Sequence, residues 1–268
     1  MADTATTNKR KKLSDDELVK MILDRQDKLE ERRRPYEDTW EEIAETICPR
    51  REQHYTTSKD EEKKHGSRVF DSKPTDALNT MTDGIQGHLI GQAFKWFKDK
   101  LPERFNKVAD RQDAKKWLEG VTTAKYESYR DSNFYDAINA FIADGGSIGN
   151  ATMYVEEDAD GDGVSFIAVH YLEMFWAENR AGEVDTVHRK FELSYRQLAQ
   201  KFPDDKDIQK QAEDHPFEKG ELIHAVWPAE EPGLSLSQGG FRFHSAYIWA
   251  KHGSVTSAQS QRKGRLLS

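Results

Sequence analysis

The sequence predicts an α+β protein: a helical first half followed by antiparallel strands. Three observations carry that prediction. Apolar residues recur at helical spacing through the first half, as in Tyr36, Trp40, Ile43 and Ile47. Near residue 151 the period changes to alternation, with Met153 and Val155 answered by Val164, Phe166 and Ala168 across the turn sequence DADGDG. Further strand candidates then follow in series, so the order is helices then strands and not an alternating βαβ pattern.

Composition narrows the class. The chain has 268 residues and a net charge of −8, and 33% of it is charged. No stretch approaches the ~20 apolar residues that a bilayer-spanning helix requires. Thirteen Phe, nine Tyr and six Trp supply core anchors that a wholly disordered chain would lack. A single cysteine excludes a disulfide framework and a cysteine-based zinc site. The start, MADTATTNKRKKLSDDE, has no apolar signal region, so a soluble cytosolic protein is expected.

Residues 1–13, with basic Lys9, Arg10, Lys11 and Lys12, read as a flexible arm. Ser14 and Glu17 form a capping-box pattern that opens a helix carrying Leu18, Met21, Ile22 and Leu29. Pro35 is expected to stop or kink it, because proline has no N–H to donate. A second helix would then carry the Tyr36, Trp40, Ile43, Ile47 stripe and end at Pro49. Residues 50–68 lack apolar periodicity and read as an exposed loop.

Asp71 and Ser72 offer caps, and Pro74 fits a first turn. The stripe Leu78, Met81, Ile85, Leu89 completes that helix. Gly84, Gly87 and Gly91 dilute it, which is tolerable where another backbone packs closely. Trp117, Val121 and Ala124 mark a further helix; Phe134, Ile138 and Phe141 mark another, capped by Ser132. After the 153–168 hairpin, extended segments are expected at 173–179, 184–193, 221–228 and 241–250. A turn falls at 179–182, and Ser194 begins a short helix through Phe202. The organisation is thus a basic arm (1–13), a helical part (14–150), a β-rich part (151–250) with a short helix near 194–202, and a polar tail (251–268).

Several motifs hint at chemistry, and each has a plainer explanation. Asp158, Asp160, Asp162 and Gly163 open like a calcium loop, yet the twelfth position falls on Val169 and strands flank the motif, so a tight turn explains it. Gly145, Gly146, Ser147, Ile148 and Gly149 match G-x-S-x-G, the signature of a serine hydrolase elbow. That elbow runs strand to helix, whereas a helix precedes this serine and a strand follows, as at a glycine-rich helix end. The histidines (His54, His65, His88, His170, His188, His215, His224, His244 and His252) show no metal-binding spacing. Cys48 has no base near it in sequence, so it reads as a half-buried structural residue.

The basic runs at 9–12 and 32–34 would suit a nucleic-acid-binding adaptor, but they sit in an acidic chain and among acidic neighbours. Phe94, Lys95, Trp96 and Phe97 suit base stacking or, more simply, core and interface packing. The residues themselves nominate no catalytic, cofactor-binding or metal-ligating side chain and no cofactor. They describe a structural or interaction protein.

Four segments in order carry a further signal. They are RRRPYEDTWEEIAETICPR, RVFDSKPTDALNTMTDGIQGHLIGQAFKWFKDKL, WLEGVTTAKYESYRDSNFYDAINAFIADGGSIGNATMYVEED and YLEMFWAENRAGEVDTVHRKFELSYRQLAQKFP. Over about residues 15–203 their order and spacing resemble the podovirus-type bacteriophage head-to-tail connecting (portal) protein family. The resemblance implies a non-enzymatic virion protein whose subunits form a dodecameric ring at one capsid vertex. It implies double-stranded DNA passing through the ring, and capsid, terminase and tail proteins as partners. It also implies residence in the host cytoplasm during assembly, and no membrane. The helical and β-rich parts would belong to the portal wing, with Gly145, Gly146, Ser147 and Gly149 at its helix-to-strand turn. The family's stem, clip and crown find no counterpart after Ala250, so a fragment or truncated product is expected. The readings from other classes are a serine hydrolase using the 145–149 segment and the nucleic-acid adaptor.

Overall fold

The computed structural model describes residues 14–48, 71–105, 108, 110–158, 163–229 and 242–249, and the backbone of a strand at 254–261. Helices fill the first half and antiparallel sheets the second, as the α+β pattern requires. The chain divides into two compact units, residues 1–36 with 172–268, and residues 37–171. The division therefore falls at Tyr36/Glu37 and Tyr171/Leu172, while the change from helix to strand falls near residue 150.

Helix α1 (Asp15–Thr46) contributes its beginning to the first unit and its end to the second. The capping box is formed: Ser14 N–H donates to Glu17 Oε2 at 3.0 Å, and Glu17 N–H donates to Ser14 Oγ at 3.3 Å. The expected break at Pro35 does not occur; one helix of 32 residues runs through it. An internal proline costs roughly 3 kcal/mol. Buried Leu18, Val19, Ile22 and Leu29 on one side of it, and Trp40 and Ala44 on the other, hold both halves helical. Each large apolar side chain so buried contributes about 1.5–3 kcal/mol, enough to outweigh that cost.

In the first unit, strands β3 (Met174–Glu178), β4 (Val184–Ser194), β5 (Lys219–Pro228), β6 (Phe243–Trp249) and β7 (Ser254–Gln261) form an antiparallel sheet in sequential order. Strand alternation gives it two apolar faces. Ile223, Ala225, Trp227, Ala246 and Ile248 lie on one, covered by Leu18, Val19 and Ile22 of α1. Leu222 and Trp249 lie on the other. Tyr195 and Leu198 of helix α5 (Tyr195–Lys201), Phe202, and Ile208 of helix α6 (Lys206–Asp214) cover this second face.

Two expectations change here. Helix α6 was not expected: Asp205 caps it by accepting from the N–H groups of Asp207 and Ile208, and Ile208 is its only fully buried residue, too sparse a stripe to read as a period. The segment expected as a polar tail holds β7, paired from Phe243↔Gln261 to Trp249↔Ser254. An added strand is held by main-chain hydrogen bonds, which polar composition does not forbid.

The second unit contains the end of α1, helices α2 (Lys73–Leu89), α3 (Gln112–Asp131) and α4 (Phe134–Ser147), and the hairpin of β1 (Thr152–Glu157) and β2 (Val164–Val169). Its core gathers Phe134, Ala137, Ile138 and Phe166, with Trp96, Tyr129, Phe141 and Met153 around them. The faces of α2 and α3 differ from the expected stripes. Leu89, Met81 and Trp117 are exposed, while Thr82 and Thr122 are buried. Hydrogen bonds decide the face of α2: Gln86 Nε2 donates to the Tyr135 carbonyl at 2.8 Å, and Asn139 Nδ2 donates to Gln86 Oε1 at 2.6 Å.

The glycines of α2 also have a different role from the expected one. Open space surrounds Gly84 and Gly87, and the close approach occurs instead at Gly146 of α4, where a Cβ would collide with the Met81 side chain. The loop expected at 50–68, Pro49 and the basic arm lie outside the described residues.

Candidate functional site

The G-x-S-x-G segment is built in the opposite sense to a nucleophile elbow. Ser147 is the last residue of α4, and its hydroxyl donates to the Ala143 carbonyl at 2.7 Å within the helix. Gly149 follows with φ of +79°, a left-handed conformation that favours glycine, and β1 starts at Thr152. Helix, glycine turn and strand follow in that order. The order is the reverse of a nucleophile elbow and the hydroxyl is used within its own helix, so the hydrolase reading is not favoured.

The aspartate motif closes a hairpin. Asp158 N–H donates to the Gly163 carbonyl at 3.0 Å, and Val169, at the twelfth loop position, pairs with Thr152 in the ladder. Asp160 and Asp162 lie outside the described residues. Among the described residues, no group of three or more His, Cys, Asp or Glu side chains is arranged to hold a metal ion. Cys48 is more deeply buried than expected.

The aromatic knot is packing. Trp96 lies against Phe97 at 4.8 Å between ring centroids, and stacks with Tyr129 and Phe134 at 6.3 Å each. Tyr126 Oη donates to the Phe97 carbonyl at 3.0 Å and accepts from its N–H. Lys95 Nζ donates to Thr123 Oγ1 at 3.3 Å. Only Phe94 of the four projects an exposed ring.

The arginine run splits by role. Arg32 and Arg34 are exposed. Arg33 Nη1 donates to the Leu172 carbonyl at 2.6 Å and the Met174 carbonyl at 3.3 Å, with its guanidinium 3.8 Å above the Phe175 ring. This side chain is a clamp between α1 and the start of β3, not a phosphate contact.

Arg33 ends a polar row that sequence reading did not find. One turn earlier, Lys190 Nζ donates to Glu30 Oε1 at 3.0 Å, and Gln26 Nε2 donates to the same oxygen at 3.0 Å. The Gln26 carbonyl oxygen in turn faces His188 Nδ1 at 3.0 Å. Since Gln26 spends its amide hydrogens on Glu30, His188 carries its proton on Nδ1. Burial opposes ionisation of Glu30, but hydrogen bonds from Gln26 and Lys190, and the charges of Lys190 and Arg33, hold its carboxyl below the usual value.

Burial, with Arg25 nearby, lowers His188 to about 3, so the ring is neutral. On the opposite face of the sheet His224 Nε2 lies 2.8 Å from Ser245 Oγ, and the ring stacks on Tyr247 at 4.0 Å. Burial, followed by the charges of Lys201 and Arg189, lowers it to about 3 as well. His224 and Ser245 are both buried, paired across the neighbouring strands β5 and β6. Burial lowers His244 in the same sheet. His170 stacks on Tyr171 at 4.4 Å, and His88 and His215 are exposed. His54, His65 and His252 lie outside the described residues. Only strand alternation hinted that His188, His224 and His244 point inward, and nothing in the sequence hinted at Gln26 as a partner.

The geometry therefore offers joints and packed faces, without a reactive constellation among the described residues. No helix among them is long and apolar enough to cross a membrane.

Comparison with known proteins agrees with an architectural part. The chain is 26% identical over 192 residues to the probable portal protein of Bordetella phage BPP-1, covering 70% of this chain and 33% of that protein. It is 26% identical over 174 residues to the portal protein of Salmonella phage epsilon15, covering 65% of this chain and 31% of that protein. The chain thus spans about a third of the length of the curated relatives it matches. The model of the family described as bacteriophage head to tail connecting protein matches residues 19–261, well past the 15–203 segment whose motifs carried the resemblance. That match leaves only the two ends of the sequence outside it, and the chain belongs to the bacteriophage head to tail connecting protein family.

Proposed function

We propose that this chain is a structural part of a phage portal, the connector between head and tail. The family match over residues 19–261 carries the reading, and the likeness to two phage portal proteins supports it. In this reading residues 14–150 form the helical part of the wing and 151–250 its β-rich part. The basic arm precedes them and the 251–268 segment, with β7, follows. Copies of the protein assemble into a closed ring, a dodecamer, at one capsid vertex. Closure of a ring requires two different complementary faces on each subunit. Capsid and tail proteins attach to the ring, terminase docks on it during packaging, and double-stranded DNA passes through. The protein resides in the virion, and in the host cytoplasm while assembly proceeds. It has no catalytic activity of its own.

Light scattering on the purified chain, with electron microscopy of the same fractions, tests the ring. Annular particles with the mass of a dodecamer are expected. A monomer at every concentration overturns self-assembly by this chain.

A further inference from the structure

We propose that the loop carrying Phe217 in one copy of the chain docks on the Trp117 face of α3 in the next copy. The contact presupposes assembly as a ring, which needs two different faces on each subunit that fit one another. Phe217 and Trp117 are large aromatic side chains left 82% and 64% exposed. Such aromatic residues are the usual anchors of an interface between proteins.

Each aromatic is held ready by its own surroundings. The loop between α6 and β5 is pinned on both sides of Phe217. The Pro216 carbonyl accepts from the Arg196 N–H at 3.1 Å, and the Glu218 carbonyl accepts from the Tyr195 N–H at 2.9 Å. A knob so fixed has little freedom left to lose on docking. The second half of α3 is fastened by buried Thr122, whose hydroxyl donates to Asp99 Oδ2 at 2.9 Å, and by Tyr126 on the Phe97 carbonyl. In the first half, residues 112–120, only Ala114 and Leu118 are even half-buried. With Trp117 and Val121 they form one apolar stripe at helical spacing, and its Trp117 edge is bare.

Charge makes the two faces opposites. Residues 203–218, around Phe217, carry six acidic side chains against two basic ones. Residues 111–117, leading to Trp117, carry three basic against one acidic. Glu213, Asp214 and Lys116 are exposed and make no ion pair among the described residues. Glu213 and Asp214 also stand in the last turn of α6, at the negative end of the helix dipole, where acids are disfavoured. Lysines brought up by a second copy neutralise them and set the direction of the contact. Both halves of the matched pair lie on this one chain, so a second copy is the occupant that fits. Like faces repel, so the contact runs head to tail and does not pair a face with itself.

Sedimentation equilibrium on the full chain measures association between copies. Trp117→Ser and Phe217→Ser should each weaken it about thirtyfold, with circular dichroism and urea midpoint unchanged. Reversing the charge of one face, in Lys115→Glu/Lys116→Glu or in Glu213→Lys/Asp214→Lys, should also weaken it. Mixing the two reversed proteins should restore association, because each then offers the other a matched face. Aromatic variants that associate like the parent overturn this contact and leave the ring reading standing. A mixture that stays dissociated overturns the pairing of these two faces in the same way. A parent that is monomeric at every concentration overturns the ring reading and this contact together. Variants that associate normally but lose a capsid or tail protein assign the faces to that protein and overturn the contact. Should Trp117→Ser fail to fold, the charge reversals decide.

Discussion

Asn133 and Phe166 exchange two hydrogen bonds, Asn133 Nδ2 donating to the Phe166 carbonyl at 2.7 Å and the Phe166 N–H donating to Asn133 Oδ1 at 2.9 Å. The amide at the start of α4 thereby imitates a neighbouring strand and satisfies both backbone groups of a buried residue in β2. Asn133→Ala removes both bonds and leaves those groups without partners, at a cost of about 2–4 kcal/mol. The urea midpoint should fall with the slope unchanged. Asn133→Asp keeps the acceptor alone and should lie between the two. Equal midpoints for Asn133→Ala and the parent would contradict this role.

Acid should destabilise the first unit through its buried histidines. His188 and His224 are both lowered to about 3 from an ordinary 6.5. The unfolded chain binds their protons as pH falls below 6.5, while the folded chain does not. Their contribution is therefore complete above 6.5 and is lost as pH falls toward 3, amounting to about 2 kcal/mol per histidine at pH 5. Urea midpoints measured from pH 7.5 to 4.5 should decline accordingly. His224→Phe, which preserves the stack on Tyr247, should flatten the decline. A profile independent of pH over that range would contradict the burial of neutral rings.

Two kinds of glycine should respond in opposite directions to alanine. Gly149, at φ of +79°, is strained by any Cβ, so Gly149→Ala should cost about 1–2 kcal/mol. Gly84 sits within α2 with open space around it, so Gly84→Ala should add up to about 1 kcal/mol. Thermal midpoints of the two variants should fall on either side of the parent's. Two shifts of the same sign would contradict the assignment.

Ser147→Ala tests the serine-hydrolase reading. The hydroxyl is used within its own helix, so stability should change by no more than about 0.5 kcal/mol. Hydrolysis of a generic ester by the purified chain should be the same with and without it.

Much of the fold was legible because local chemistry and tertiary packing agreed. Asp158 and Gly163 closing β1 and β2, Asn179 accepting from Ala181 and Glu183 in its turn, and the Ser194–Gln197 capping box that starts α5 all act within a few residues. Legibility failed where distant partners outvoted local rules. Pro35 reads as a stop because the anchors on each side of it lie far off in sequence. Gln86 faces inward on α2 because polar groups of α4 meet it, and Thr82 is buried beside the expected apolar stripe. Strand β7 lacks an apolar pattern because its main chain does the pairing. As for the 145–149 segment, its order of helix, glycine turn and strand was readable in the sequence. The Gln26–His188 joint was not, since its members stand 162 residues apart.

That separation has a consequence for biosynthesis. The second unit is one uninterrupted stretch, residues 37–171, and all its partners are translated before β4 and β5 are made. The first unit is split: its opening helix is translated first, yet the sheet face that shelters Leu18, Val19 and Ile22 includes Ala246 and Ile248. The nascent helix must therefore wait, apolar side bare, while the intervening domain closes, because domains fold as units once their sequence has emerged. A nascent chain stalled before residue 246 would hold a finished second unit tethered to an unsheltered amphipathic helix.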